Sequence, residues 1–209
     1  MDYLKIEVSG QHPLTFECQQ HLMEEIWKRY SLPNRGSMLD IGPGKGFYSR
    51  YFLSKGLDVH CLDIDPSLRE EFEKMGCKFM QMDLRSKTMP YPDDQFDLVW
   101  CSHVIEHLYN YVDFVTDCCR VLKPGGIALF RTPDLESVKF QFWSDPTHVQ
   151  PFIKVSLRKL LALTGFEVID SINCDLLELK GLHRVRAYKW MPSLLFKGNN
   201  LLGVGRKPR

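Results

Sequence analysis

Three glycines alternate behind an acid in Asp40-Ile41-Gly42-Pro43-Gly44-Lys45-Gly46, and an apolar run (Met38, Leu39, Ile41) leads into them. Glycine has no Cβ, so such a turn exposes backbone N–H groups and lets a ligand lie close against the main chain. The spacing narrows the ligand. A dinucleotide fingerprint, G-x-G-x-x-G, needs glycine at position 47, where Phe47 stands. A phosphate loop needs glycine at 39 and Ser or Thr at 46, where Leu39 and Gly46 stand. Two further acids close apolar runs, Asp63 after Leu57–Leu62 and Asp83 after Cys77–Met82. Asp63 lies 17 positions after Gly46, close to where a β-α-β unit places a carboxylate to accept hydrogen bonds from ribose hydroxyls. Either acid also suits the cap of a following helix, and a tight turn with no ligand also accounts for the glycines.

The elements that must position these residues alternate. Leu14, Cys18, Leu22, Ile26 and Tyr30 fall at four-residue steps, which predicts an amphipathic helix over 12–30. The turn cluster Leu32-Pro33-Asn34-Arg35-Gly36 ends it. After the first strand, Phe47, Tyr51 and Phe52 give a helical pattern. A second strand is expected over 57–63, and a helix from Pro66 with Leu68, Phe72 and Met75 on one face. Strands are expected at 77–83, 96–101 and 127–131. Ser102–Leu108 opens a helical region, and a clearer helix over 111–122 is broken by Lys123-Pro124-Gly125-Gly126. Residues 165–175 and 201–207 read as the last two strands. Strands alternating with helices predict an α/β fold with a doubly wound, mostly parallel sheet.

Composition bounds the function. The chain has 209 residues, 44% hydrophobic and 25% charged, with a formal net charge of +1. That size and composition suit one sizeable globular domain over 1–209, and the charge argues against a broad basic surface for nucleic acid. No apolar stretch approaches membrane-spanning or secretory length, which points to a cytoplasmic protein. Seven cysteines (Cys18, Cys61, Cys77, Cys101, Cys118, Cys119, Cys174) include no C-x-x-C pair and suit buried free thiols; no metal is expected.

Five features occur in order: Asp40–Gly46, Leu62-Asp63-Ile64-Asp65, Asp83-Leu84, Phe96–Val99 with Ile105-Glu106-His107-Leu108, and Arg120–Gly126. Together, over residues 37–133, they resemble the core of class I S-adenosylmethionine-dependent methyltransferases. The resemblance implies a Rossmann-like sheet of seven strands with the last antiparallel between the fifth and sixth. It implies S-adenosyl-L-methionine as cofactor. Gly42, Gly44 and Gly46 would pass beside its methionine part, and Asp40 would hold the loop and the amino group. Asp63 would accept from both ribose hydroxyls, Asp83 from the adenine amino group, and Leu84 N–H would complete the adenine contact. Ser102 would lie beside the methionine end, and Asp97 is expected to be structural.

Such a cofactor supplies an electrophilic methyl group, leaving the protein to position the acceptor and, for a hydroxyl, to remove a proton. His148 suits proton transfer near neutral pH, and Asp145 would orient it if the turn brings them together. Asp145-Pro146-Thr147-His148-Val149-Gln150-Pro151-Phe152 also resembles the D-x-x-H-x-x-x-[FY] segment of subfamilies acting on small molecules and glycans, in which a helix like Ser156–Thr164 follows. A structural tie of the loop is the competing role for His148. His103 is a rival base if the fourth strand ends at Cys101, and His107 suits a packing or cofactor-pocket role.

The leading expectation is O-methylation of a small molecule or sugar. The alternatives are N-methylation, which needs no strong base, and a noncatalytic assembly module that keeps the fold. Nucleic acid is not expected as acceptor: Cys101-Ser102-His103-Val104 stands where DNA amino-methyltransferases carry an N/D-P-P-Y/F tetrapeptide. Residues 176–200 interleave Lys180, Arg184, Arg186, Lys189 and Lys197 with Tyr188, Trp190 and Phe196. That stretch suits a solvated basic helix, or a peripheral contact with a membrane or a lipid-linked substrate.

Overall fold

The computed structural model describes residues 13–85, 88–174 and 199–209, with side chains from residue 19 onward. The basic-aromatic stretch read at 176–200 falls almost wholly outside the described residues. The elements are α1 (Pro13–Tyr30), β1 (Ser37–Ile41), α2 (Phe47–Ser54), β2 (Asp58–Asp63), α3 (Arg69–Met75), β3 (Lys78–Gln81) and β4 (Phe96–Ser102). They continue as α4 (Tyr111–Val121), β5 (Leu122–Pro133), α5 (Leu135–Val138), α6 (Lys154–Leu163), β6 (Glu167–Asn173) and β7 (Asn200–Arg206). Short 3₁₀ turns sit at Pro66–Leu68, Ile105–His107 and Lys139–Ser144.

The sheet has seven strands in the order β3-β2-β1-β4-β5-β7-β6. β1 pairs in parallel with β2 and β4, β2 with β3, and β4 with β5, while β7 runs antiparallel between β5 and β6. This is the expected topology. The order reverses between β1 and β4, and in open α/β sheets the crevice for a ligand lies beyond the strand ends at such a point.

Both faces of the sheet are covered because consecutive strand residues are apolar. Leu39, Ile41, Val99, Cys101 and Phe130 pack toward α4 and α6 with Val115, Leu157 and Leu161. Met38, Leu98, Trp100 and Leu129, one position out of step, pack with Leu22, Ile26, Phe52 and Phe72 of α1, α2 and α3. Strands buried on both faces read as continuous apolar runs, which is why the alternation of a half-exposed sheet is missing here. The predicted N-terminal helix is present, with Leu22, Met23, Ile26 and Tyr30 buried. Its end is tied to β6, where Asp170 accepts from Arg29 (3.0 Å) and from the Tyr30 hydroxyl (3.0 Å).

Two boundaries differ from expectation. Lys123-Pro124-Gly125-Gly126 follows the end of α4 at Val121, as expected, but the fifth strand, expected over 127–131, begins at Leu122 and takes these residues in. Partners on both sides absorb these residues: Leu122 pairs with Phe96, Gly125 N–H donates to the Lys207 carbonyl and Lys207 N–H donates to that of Gly126, each at 2.9 Å. The register shifts between Phe96 and Leu98, so the glycines form an irregularity in the ladder. The third strand stops at Gln81, leaving Asp83 in the loop beyond it. Asp97 is structural, as expected: it accepts from Ser37 N–H (2.9 Å) and Lys123 Nζ (2.7 Å).

Candidate active site

The glycine loop links β1 to α2, and Gly42, Gly44 and Gly46 all have positive φ, of 65°, 54° and 72°. An L side chain disfavours that left-handed region by about 1–2 kcal/mol. The three differ in what surrounds them. A Cβ on Gly42 would lie 2.5 Å from Val104 Cγ2, and one on Gly46 would press on Phe72 and Met75, whereas one on Gly44 would meet nothing within 4 Å. Gly42 and Gly46 are thus packed into the protein, and Gly44 is where the main chain borders open space.

Asp40 sits beneath this loop rather than in the crevice. Its side chain is buried at 1% exposure, and its Oδ2 accepts from Ser49 Oγ of α2 at 2.5 Å. Burial pushes its carboxyl up to about 7, against the lowering effect of the Ser49 bond. Asp40 therefore pins strand to helix behind the glycines. Among the described residues, its Oδ1 has no hydrogen-bond partner.

Asp63 ends β2 half-buried, and its Oδ1 accepts from Asp65 N–H at 2.9 Å. Burial raises its pKa. It does not cap the next helical turn, because Asp65 takes that role by accepting from Ser67 N–H. Asp83 is held by Arg85, whose Nε and Nη2 reach both carboxylate oxygens at 2.7–3.2 Å and whose N–H donates at 2.9 Å. This pairing depresses the Asp83 carboxyl to about 2. The neighbouring Leu84 carbonyl accepts from Asn110 Nδ2 (3.0 Å), tying this loop to the start of α4. Ser102 is the last residue of β4, paired with Arg131 of β5.

Beyond Ser102 the chain gathers a polar cluster. His103 takes a left-handed conformation (φ 56°), with the side chain 40% exposed. Its Nδ1 lies 3.1 Å from Glu106 Oε1, and Arg131 Nη1 lies 3.2 Å from its Nε2. Arginine only donates, so Nε2 is the acceptor and Nδ1 carries the proton shared with Glu106. Glu106 is fully buried and also accepts from Thr132 Oγ1 (3.1 Å). Burial pushes the Glu106 carboxyl up, but the hydrogen bond from His103 pulls the other way, and the net shift is downward.

His148 and Asp145 lie beside this cluster. The Glu106 carbonyl accepts from the N–H groups of Val149 (2.8 Å) and Gln150 (3.0 Å), docking the loop after β5 onto the turn after β4. His148 Nδ1 donates to the Phe142 carbonyl at 2.7 Å, its ring lies over Phe142 with centroids 4.5 Å apart, and its Nε2 is 3.6 Å from Asp145 Oδ2. Asp145 Oδ1 meanwhile accepts from Thr147 N–H and Oγ1. His148 thus ties the loop through Nδ1 and keeps a lone pair on Nε2, beside a carboxylate. His107 stacks on it, ring centroids 4.8 Å apart, with Nδ1 on Thr147.

Arg85, Glu106 and Arg131 were not singled out for a role. For Glu106 a signal exists: it is an acid inside Val104–Leu108, a stretch otherwise apolar enough to be buried. Arg85 and Arg131 carry none, since their partners come from folded geometry.

Residues 39–130 match the family model described as a methyltransferase domain. This segment is similar to a methyltransferase domain. A Mycolicibacterium smegmatis relative named for S-adenosylmethionine-dependent methyl transfer is 31% identical over 142 residues, covering 65% of this chain and 53% of the relative. The chain thus spans about half the length of that relative. A ubiquinone biosynthesis O-methyltransferase of Rickettsia typhi is 24% identical over 205 residues, 90% of this chain and 80% of that protein. The solved structure of an S-adenosylmethionine-dependent methyltransferase from Archaeoglobus fulgidus shares the fold, with TM-score 0.66 and 20% identity over 90% of this chain and 94% of that one. The glycine loop and Asp63 fit S-adenosylmethionine, the cofactor for which these relatives are named. Gly44 leaves open space beside bare backbone, Asp63 presents a half-buried carboxylate at the adjacent strand end, and both lie at the edge where the strand order reverses.

Proposed function

We propose that this chain is an S-adenosyl-L-methionine-dependent methyltransferase that methylates an oxygen of a small molecule. The observation that carries the reading is the pairing of an open, left-handed Gly44 with the half-buried Asp63 one strand away. An anionic acceptor suits ribose hydroxyls, and bare backbone suits the close passage of a methionine chain. When bound, the cofactor supplies an electrophilic methyl group on a sulfonium.

The protein's share is binding, orientation and proton handling. Gly42 and Gly46 hold the loop shape by packing, and Asp40 braces it through Ser49. Asp83 takes the adenine amino group from its salt bridge with Arg85, Leu84 N–H lies beside it, and Ser102 borders the methionine end. The acceptor side is the cluster of His103, Glu106, His107 and His148. His148 Nε2 has the lone pair suited to taking a hydroxyl proton, with Asp145 Oδ2 at 3.6 Å to stabilise the charged ring. His103 is already engaged on both nitrogens by Glu106 and Arg131, which suits orientation better than proton transfer.

Oxygen is favoured over nitrogen because an amine needs no such base, and the Rickettsia typhi relative is named as an O-methyltransferase. Malonyl-[acyl-carrier protein] O-methyltransferase of Salmonella typhimurium, 28% identical over 126 residues, is another such relative. The whole chain 1–209 acts as one methyltransferase domain. Transfer of labelled methyl from the cofactor to phenol, catechol, carboxylate and amine panels tests the reading. O-methyl products lost on His148→Ala support it. Undiminished N-methylation by that variant, or cofactor binding with no transfer to any panel, would replace it with the amine or the noncatalytic reading.

A further inference from the structure

We propose that Glu106, His107 and His148 form a binding site for a divalent first-row transition-metal ion on the acceptor side of the crevice. One ligand atom from each lies within 4.8 Å of the other two. Ligands about 2.0–2.2 Å from a tetrahedral metal sit roughly 3.3–3.6 Å apart, so closure takes about 1 Å of side-chain movement. The absence of metal spacing among the cysteines pointed to no ion; these donors come instead from two loops that meet only in the fold.

Three independent features turn the cluster from proximity into a site. The first is tautomer. His148 Nδ1 faces the Phe142 carbonyl at 2.7 Å, and His107 Nδ1 faces Thr147 Oγ1 at 2.9 Å and the Thr147 carbonyl at 3.3 Å. Carbonyls only accept, so each neutral ring carries its proton on Nδ1 and its lone pair on Nε2. An imidazole that ligates a metal carries this same outer hydrogen bond, which fixes ring orientation and raises ligand basicity. The second is burial. The Glu106 side chain is fully buried, with the His103 ring and the Thr132 hydroxyl hydrogen-bonded to its two oxygens. The third is rigidity: the Glu106 carbonyl accepts two N–H groups from the His148 loop, so the two ligand-bearing segments are fastened to each other.

The donor set selects the ion. Two imidazoles and one carboxylate suit Zn²⁺, Fe²⁺, Co²⁺ or Mn²⁺ with positions left open, whereas Mg²⁺ and Ca²⁺ favour oxygen donors. Asp145 Oδ2, 3.6 Å from His148 Nε2, adds a second carboxylate at the rim. The role assigned to the ion rests on the proposed O-methyl transfer. An acceptor hydroxyl bound at an open position becomes more acidic and loses its proton to solvent water. The new O–CH₃ bond then forms as the S–CH₃ bond breaks, its electron pair returning to sulfur. His148 in this arrangement acts on the proton through the ion.

Chelator-stripped full-length protein titrated with Co²⁺, followed by its visible absorption and by competition with Zn²⁺, tests the site without any turnover. Wild type should take up one ion per chain. His107→Gln and His148→Gln should each weaken uptake by about 10- to 100-fold, and the double variant should abolish it. The histidine variants avoid reliance on Glu106, whose loss from the interior threatens folding, and thermal melts of each confirm an intact fold. S-adenosylhomocysteine affinity measured on the same samples separates this site from the cofactor site, since it should be unchanged in the stripped protein. A wild type that binds no stoichiometric Co²⁺, or a double variant that binds it as wild type does, overturns the inference.

Discussion

Replacing Asp40 with Asn should remove a pH dependence from the stability of the whole fold. The Asp40 carboxyl, braced only by Ser49, is pushed by burial from the usual 3.8 to about 7. The unfolded chain releases this proton near 3.8, so between 3.8 and about 7 the folded state binds the extra proton. Stability therefore falls as pH rises across that interval and is flat above it. At about 1.4 kcal/mol per pH unit, an interval of 7 − 3.8 gives a loss of about 4 kcal/mol by pH 8. Asparagine keeps an acceptor for the Ser49 hydroxyl and does not titrate. Its amide nitrogen, at the position where Oδ1 has no partner, adds a constant cost of about 1–3 kcal/mol that offsets the curve without tilting it. Urea unfolding of both proteins from pH 4.5 to 8.5 reads the effect as a difference. Every other titrating group cancels, so the variant should gain on wild type by about 3 kcal/mol between pH 5 and 8 (7 − 5 units at about 1.4 each). Parallel curves would refute the claim that Asp40 is a buried brace that resists ionisation.

The glycines should separate fold from ligand binding. Gly42→Ala, facing Val104 at 2.5 Å, should lower the melting temperature sharply, while Gly44→Ala should cost only about 1–2 kcal/mol of stability and cut cofactor affinity; calorimetry and thermal melts on the pair decide this. Arg85→Ala should leave the melting temperature unchanged, because its pair with Asp83 is exposed and screened by solvent, and it should not weaken cofactor binding. His148→Ala should slow methyl transfer by about 100-fold or more and also lower the melting temperature, since it removes the tie to the Phe142 carbonyl; single-turnover assays and melts measure the two effects.

The topology was legible because its signals are local. Apolar runs punctuated by Gly42–Gly46, Gly76 and Gly165 mark strand, turn and helix ends, and the ordered motifs place the seventh strand. The early start of β5, across Lys123–Gly126, has a physical cause: turn-forming residues can be held in a ladder when Phe96 and Lys207 supply partners from opposite sides. Those partners are distant in sequence. Asp40, Asp63, Asp83 and the three glycines could be picked out because each lies at, or just beyond, the carboxyl end of a strand. What they touch could not. Asp40 turned out to be buried under the loop, and Asp83 to be clasped by Arg85 two residues on. The acceptor side was the least legible. His148 and Asp145 stood out as residue types, but the cluster exists only because the Glu106 carbonyl fastens one loop to another across some 40 residues.

Isothermal titration of S-adenosyl-L-methionine into wild type and Asp63→Ala tests the central claim most directly. Wild type should bind at one site per chain. The variant should bind about 100-fold more weakly, from two lost charge-assisted hydrogen bonds at about 1.5–3 kcal/mol each less partial replacement by water. The two proteins should melt at the same temperature without ligand. No binding by wild type, or equal affinity in both proteins, would contradict it.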